Sequence, residues 1–159
     1  MNCAAFGEKW NGSAREKENF IMLTLGTGIG GAIFIDGELY RGHLFSAGEW
    51  GNMLIEGKPF EEIASISGLI RLVRKYKDES DWNGKKIFEL YDKGDREVTQ
   101  AVEVFFKHLA IGISNLAYIF NPEVIVIGGG ITDRGNEFLK EVKEEVSKYL
   151  NKEIYSNCE

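Results

Sequence analysis

Four glycines fall within six residues in the segment Gly26-Thr27-Gly28-Ile29-Gly30-Gly31. Such a run offers bare backbone amides that can converge on an anion, with the Thr27 hydroxyl beside them. It is not a Walker loop, because Ala32-Ile33 stands where Lys followed by Ser or Thr would be needed. A dinucleotide fingerprint runs from strand into helix, and here strand-like residues follow. The segment therefore reads as a phosphate-binding turn between strands, or as a tight hairpin whose glycines supply positive φ angles. A second constellation is Ala47-Gly48-Glu49-Trp50-Gly51. A carboxylate accepts hydrogen bonds from vicinal hydroxyls, flanking glycines let backbone approach a sugar ring, and Trp50 stands beside it. The competing reading is a solvated glutamate in a loop. A third is Val124-Ile125-Val126-Ile127 running into Gly128-Gly129-Gly130. Open sheets place ligands at the C-terminal ends of their strands, although a plain strand-to-helix turn looks the same. His43 and His108 are the two histidines; His108, in a helical stretch beside Lys107, reads as a surface or packing residue.

These segments need a frame. The chain has 159 residues, 43% of them hydrophobic, which suits one domain or a piece of a larger one. Phe20 to Leu25 reads as a strand, Ala32 to Ile35 as another, Asp36-Gly37 as a hairpin turn and Glu38 to Gly42 as the return strand. Helical spacing follows from Glu61 to Tyr76, with a breaker at Gly68, and again from Gly84 to Tyr91. From Asp95 to Phe120 the residues Val98, Val102, Phe105, Phe106, Leu109, Ile113, Leu116 and Ala117 share one broad face, and Asn121-Pro122 ends the helix. Glu123 to Ile127 reads as a strand buried on both faces, and Asn136 to Leu150 as a final helix. Ala4 to Trp10 is mildly helical.

Composition narrows the function classes. With 19 Lys and Arg against 25 Asp and Glu, the net charge of −6 disfavours nucleic-acid binding through this chain. Cys3 and Cys158 lie far apart without a CxxC pattern, so a disulfide scaffold is not expected. Glu8 and Lys9 interrupt any signal peptide, and no uninterrupted apolar run reaches the roughly 20 residues of a membrane span. The expectation is a cytoplasmic protein with no membrane partner.

Taken together, the three segments resemble the ROK family of sugar kinases and sugar-responsive repressors, within the actin-like ATPase superfamily. Leu25 to Ala32, then Gly37, Arg41-Gly42 and Ala47 to Gly51, are similar to the family signature. Asn121 to Gly130 resembles its second nucleotide segment, and Asn2 to Glu8 the element after its catalytic aspartate. The resemblance implies an α/β fold, an actin-like (ribonuclease H-like) lobe with a mixed sheet and helices on its faces. It further implies that Gly26, Thr27, Gly28, Gly30 and Gly31 hold the ATP phosphates and that Gly128, Gly129 and Gly130 border adenine. Glu49 and Glu61 would hydrogen-bond a hexose-type sugar, with Mg²⁺ accompanying ATP in the parent enzyme.

Three departures qualify the likeness. The family's zinc-ligating histidine is replaced by Asn52, and no cysteine lies between Met53 and Glu61, so no zinc is expected. Asn52 can still donate to a sugar oxygen. The chain begins just after the point where the family's aspartate base would stand, so residues 1–159 read as a single, incomplete C-terminal lobe with no catalytic residue of its own and no N-terminal lobe. It also stops where relatives continue into one more helix. The expected function is ATP-dependent sugar phosphorylation by the parent protein, the chain alone being inactive or nearly so. The alternative is the sugar-sensing lobe of a repressor. A homodimer through the long apolar helix is a further expectation.

Overall fold

The computed structural model describes residues 1–77 and 81–159. Helix α1 (Asn2–Asn11) leads into strand β1 (Phe20–Leu25), β2 (Ile29–Ile35) and β3 (Glu38–Tyr40). These form an antiparallel meander, with Asp36 (φ 51°) and Gly37 (φ 77°) making the tight turn that the Asp-Gly pair predicts. A 3-10 turn (Trp50–Asn52), the small hairpin of β4 (Leu54–Ile55) and β5 (Lys58–Pro59), and helices α2 (Phe60–Ala64), α3 (Ile66–Arg74) and α4 (Gly84–Asp92) follow. Then come α5 (Arg96–Phe120), β6 (Val124–Gly128), a second 3-10 turn (Gly130–Arg134), α6 (Asn136–Val146) and α7 (Lys152–Asn157). The main sheet has the order β3-β2-β1-β6, and β6 runs parallel to β1 with Phe20 opposite Val124 and Thr24 opposite Gly128. This register brings the glycines after β1 and those after β6 to the same end of the sheet.

Helix α5 organises the larger core. All eight residues of its expected apolar face are buried, against Leu23, Leu25, Phe60, Leu69, Ile87 and Phe138 among others. By length and composition α5 could cross a membrane; here it is the central core helix. Asp95 caps it by accepting the Val98 N–H at 3.1 Å, and Asn121 in the left-handed conformation (φ 43°) ends it. The opposite sheet face carries a smaller cluster of Phe20, Met22, Ala32, Phe34, Val124 and Val126, over which α1 contributes Ala5.

Several boundaries differ from the periodicity. The break between the helices after β5 falls at Ser65, whose side chain accepts the Gly68 N–H at 3.0 Å and caps α3. Gly68 sits inside the first turn of α3, where an added Cβ would lie 2.7 Å from the Glu62 carbonyl oxygen. A local hydrogen bond outweighs helix propensity there. The last predicted helix stops at Val146, and Asn151 caps a separate α7. Strand β6 is not buried on both faces: Ile125 and Ile127 are only half-buried, and on its outer edge the Glu159 carbonyl accepts the Ile125 N–H at 3.1 Å.

Trp50 overturns a sequence expectation. It does not face a sugar: it is 6% exposed, its indole N–H donates to the Met22 carbonyl at 3.1 Å, and its ring packs edge-on to Phe120. The indole crosses β2 at Gly31, where an added Cβ would fall 1.7 Å from Nε1. Gly31→Ala must therefore displace a buried aromatic ring and strand its N–H. We expect a loss of about 3 kcal/mol or more in urea unfolding; a loss under about 1 kcal/mol would show that the contact yields cheaply.

Candidate functional site

The turn Gly26-Thr27-Gly28 joins β1 to β2 and is the centre of the site. Its Gly26 carbonyl accepts the Ile66 N–H at 2.9 Å, which fixes the turn to the start of α3. The Gly26 N–H is used by the Gly28 carbonyl at 3.0 Å. Among the described residues, the Thr27 and Gly28 amides have no hydrogen-bond partner, and Thr27 is exposed. Two amides and a hydroxyl are thus left to face a ligand. None of Gly26, Gly28, Gly30 or Gly31 has a positive φ, so the hairpin-strain reading does not explain them.

Gly30 and Gly31 belong to β2, which begins at Ile29 rather than at Ala32. Gly30 still borders a cavity of about 320 Å³ together with Thr24, the turn, Glu61 and Gly129. Gly31 does not line it. The Met1 side chain reaches the same edge, with its Sδ 2.9 Å from the Thr24 hydroxyl, so α1 starts beside the turn.

Glu61 bridges two segments. A Cβ added at Gly28 would lie 2.7 Å from its Oε2, and one added at Gly51 would lie 2.8 Å from the same atom. The first turn of α2, which carries Glu61 and Glu62, is presented by the β4–β5 hairpin, which turns at Glu56-Gly57 and is held to α5 by a Lys107–Glu56 ion pair of 2.7 Å. His108 Nε2 also approaches Glu56, at 3.3 Å, so this histidine anchors the hairpin. The Lys107 ammonium, ahead of His108, holds the Glu56 carboxyl below its usual range. Glu49 precedes the 3-10 turn and Asn52 ends it; both are exposed, with side chains unpaired among the described residues. The structure brings Glu61 to Gly28 and to Gly51, which lies between Glu49 and Asn52 in the chain. His43 is exposed in the preceding loop.

A larger cavity of about 660 Å³ opens on the other side of Gly26 and Thr27. Its far wall is Gly130 and Ile131 after β6, and its length follows α4 from Asn83 to Asp92. Of the three glycines expected there, Gly130 lines this cavity and Gly129 the smaller one, whereas Gly128 remains in β6 opposite Thr24. The helical spacing from Gly84 to Tyr91 anticipates α4, but nothing in the sequence marks that helix as a wall of the site. Phe88, Asp92 and Arg134 form this wall although nothing in their spacing marks them; Arg134, soon after the glycine run, was the one available signal. Burial works against the Arg134 charge, but hydrogen bonding to Asp92 and the nearby Glu141 hold its pKa above the usual value. Burial pushes the Glu141 carboxyl up, against the pull of Arg134.

No three His, Cys, Asp or Glu side chains converge on a metal-sized point among the described residues. The arrangement can bind an elongated anion whose charged end meets the turn and whose flat end enters the larger cavity. Glu61 adds a carboxylate on the wall of the smaller cavity, next to that charged end.

The ROK family model matches residues 1–159. The chain is 37% identical over 158 residues to a beta-glucoside kinase of Listeria monocytogenes, covering 93% of this chain and 53% of that relative. It is 28% identical over 169 residues to a xylose repressor of Caldicellulosiruptor bescii, covering 92% of this chain and 42% of that protein. Among solved structures, a ROK family glucokinase from Streptomyces griseus in complex with glucose and AMPPNP superposes with a TM-score of 0.81 at 27% identity, covering 94% of this chain and 56% of that one. The chain spans about half the length of the curated relatives it matches.

Proposed function

The chain belongs to the ROK family, and from that premise we propose that it is the ATP- and sugar-binding lobe of a kinase that phosphorylates a hexose-type sugar. Its fold is the actin-like ATPase fold of the ROK kinases. The observation that carries the reading is the turn at Thr27 and Gly28, whose two unspent amides lie between a long cavity on one side and Glu61 on the other. Backbone donors fixed in place are what phosphoryl transfer requires, because its catalysis is mostly positioning and charge stabilisation.

In this reading the ATP phosphates lie on Gly26, Thr27, Gly28 and Gly30, with Gly31 acting through its packing under the same strand. The base enters between α4 and Gly130. Glu49, Asn52 and Glu61 orient the sugar by its hydroxyls, and Mg²⁺ arrives with ATP. No residue of the chain is assigned as general base. A general base contributes roughly 10²–10⁴-fold, so the chain alone should bind ATP and sugar but turn over far below the roughly 1–100 s⁻¹ of kinases. Titration calorimetry with ATP, followed by a coupled ADP-release assay over common hexoses, tests both halves. Turnover by the chain at kinase rates would overturn the placement of the base, and failure to bind ATP would overturn the kinase reading.

The second reading, a sugar-sensing lobe of a repressor, is favoured by the similarity to the xylose repressor. It predicts sugar binding without ATP binding in the same calorimetric experiment.

A further inference from the structure

Arg134 ties together two elements that line the larger cavity, α4 and the turn after Gly129, and joins them to α6. It ends the 3-10 turn that follows Gly129. Its guanidinium makes a two-point contact with the Asp92 carboxylate, at 2.9 and 3.0 Å, and so grips the last residue of α4. The same group lies over the Phe88 ring, one turn earlier on α4, at 4.3 Å from the centroid. It also reaches Glu141 of α6 at 3.4 Å. Only 12% of the side chain is exposed. Bidentate, stacked contacts of this kind suit arginine and not lysine, because the planar fork matches a carboxylate and lies flat on a ring.

The position along the cavity gives the grip a meaning. The α4 N-terminus is the phosphate end: a Cβ at Gly84 would lie 3.6 Å from Ile66, whose N–H binds the Gly26 carbonyl. Helix α4 rises about 1.5 Å per residue, so Asp92 stands about 12 Å further along the wall. That is the end remote from the Thr27 and Gly28 amides, where Phe88, Ile131 and Arg134 meet.

Resting on the nucleotide reading above, we propose that Arg134 is a positioning residue for the base of the nucleotide: it fixes the distance between α4 and the Gly130 turn, so that a flat purine fits between them. It acts on the base end only. The phosphate end is held by the turn and by Ile66, which Arg134 does not touch.

Isothermal titration of the 159-residue chain with ATP, ADP and inorganic tripolyphosphate tests this, using Arg134→Met, Arg134→Lys and Asp92→Asn. The expected result is that Arg134→Met weakens ATP and ADP about tenfold alike and leaves tripolyphosphate unchanged, with native circular dichroism. Arg134→Lys should recover less than half of the loss in binding free energy, since an ammonium cannot reproduce the fork. Should Arg134→Met fail to fold, Asp92→Asn, which keeps the arginine, should still weaken ATP about threefold against unchanged tripolyphosphate. A folded Arg134→Met that binds ATP normally, or loses ATP and tripolyphosphate equally, overturns the proposal. If the unmodified chain binds no ATP, the kinase reading fails and this inference with it; normal binding untouched by the substitutions sinks the inference alone.

Discussion

Glu49→Ala should lower sugar affinity about a hundredfold or more while leaving the unfolding midpoint nearly unchanged. The side chain is exposed and makes no hydrogen bond within the chain among the described residues, so its removal takes little from the fold. A carboxylate that accepts from two sugar hydroxyls forms charge-assisted bonds worth about 1.5–3 kcal/mol each. At 1.4 kcal/mol per tenfold, losing both gives at least about a hundredfold. Calorimetric titration with glucose and related hexoses, in parallel with thermal unfolding, reads both quantities. Sugar affinity that survives the substitution would identify Glu49 as merely a solvated loop residue, the bland alternative that its sequence context permits. Glu61 offers a poorer test, because its carboxylate packs over Gly28 and Gly51 and its removal would disturb the turn as well.

The second large effect concerns the fold under the site. Gly129→Ala should destabilise the chain by about 2–5 kcal/mol and take ATP binding with it. Gly129 has φ +104°, a region that side-chain-bearing residues reach only under strain, and an added Cβ would fall 2.3 Å from the Leu25 carbonyl oxygen. Leu25 ends β1 immediately before the Gly26 turn, and both flank the smaller cavity with Gly129. The methyl group must push β6 away from β1 at the point where the two ligand-facing turns meet. Strain of about 1–3 kcal/mol and overpacking of about 1–3 kcal/mol both contribute. Urea unfolding measures the first expectation and titration with ATP the second. A variant as stable as the parent would mean that the two turns are not rigidly apposed.

Much of this frame was legible in the residue pattern. The Phe20 to Leu25 run, the Asp36-Gly37 turn, the eight-residue apolar face of α5 and the Asn121-Pro122 stop each follow from local chemistry, and each appears where the pattern puts it. Boundaries failed where a side chain competed for the backbone, as Ser65 does at the start of α3 and Asn151 at the start of α7. Hydrophobic period does not register single hydrogen bonds of that kind. The fate of Trp50 was also invisible: an aromatic beside a glutamate looks alike whether it stacks on a ligand or buries its N–H against Met22.

By itself, the sequence determined the alternation of strands and helices, the turn of bare amides after β1 and the family to which the chain belongs, because these depend on residue types at short range. Tertiary structure alone decided why positions 28, in that turn, and 31, in β2, are glycines: Glu61 and Trp50, distant in the chain, occupy the space where their side chains would stand. It alone also made α4 and Arg134 a wall of the larger cavity, since parallel pairing of β6 with β1 sets their spacing and no local pattern encodes it.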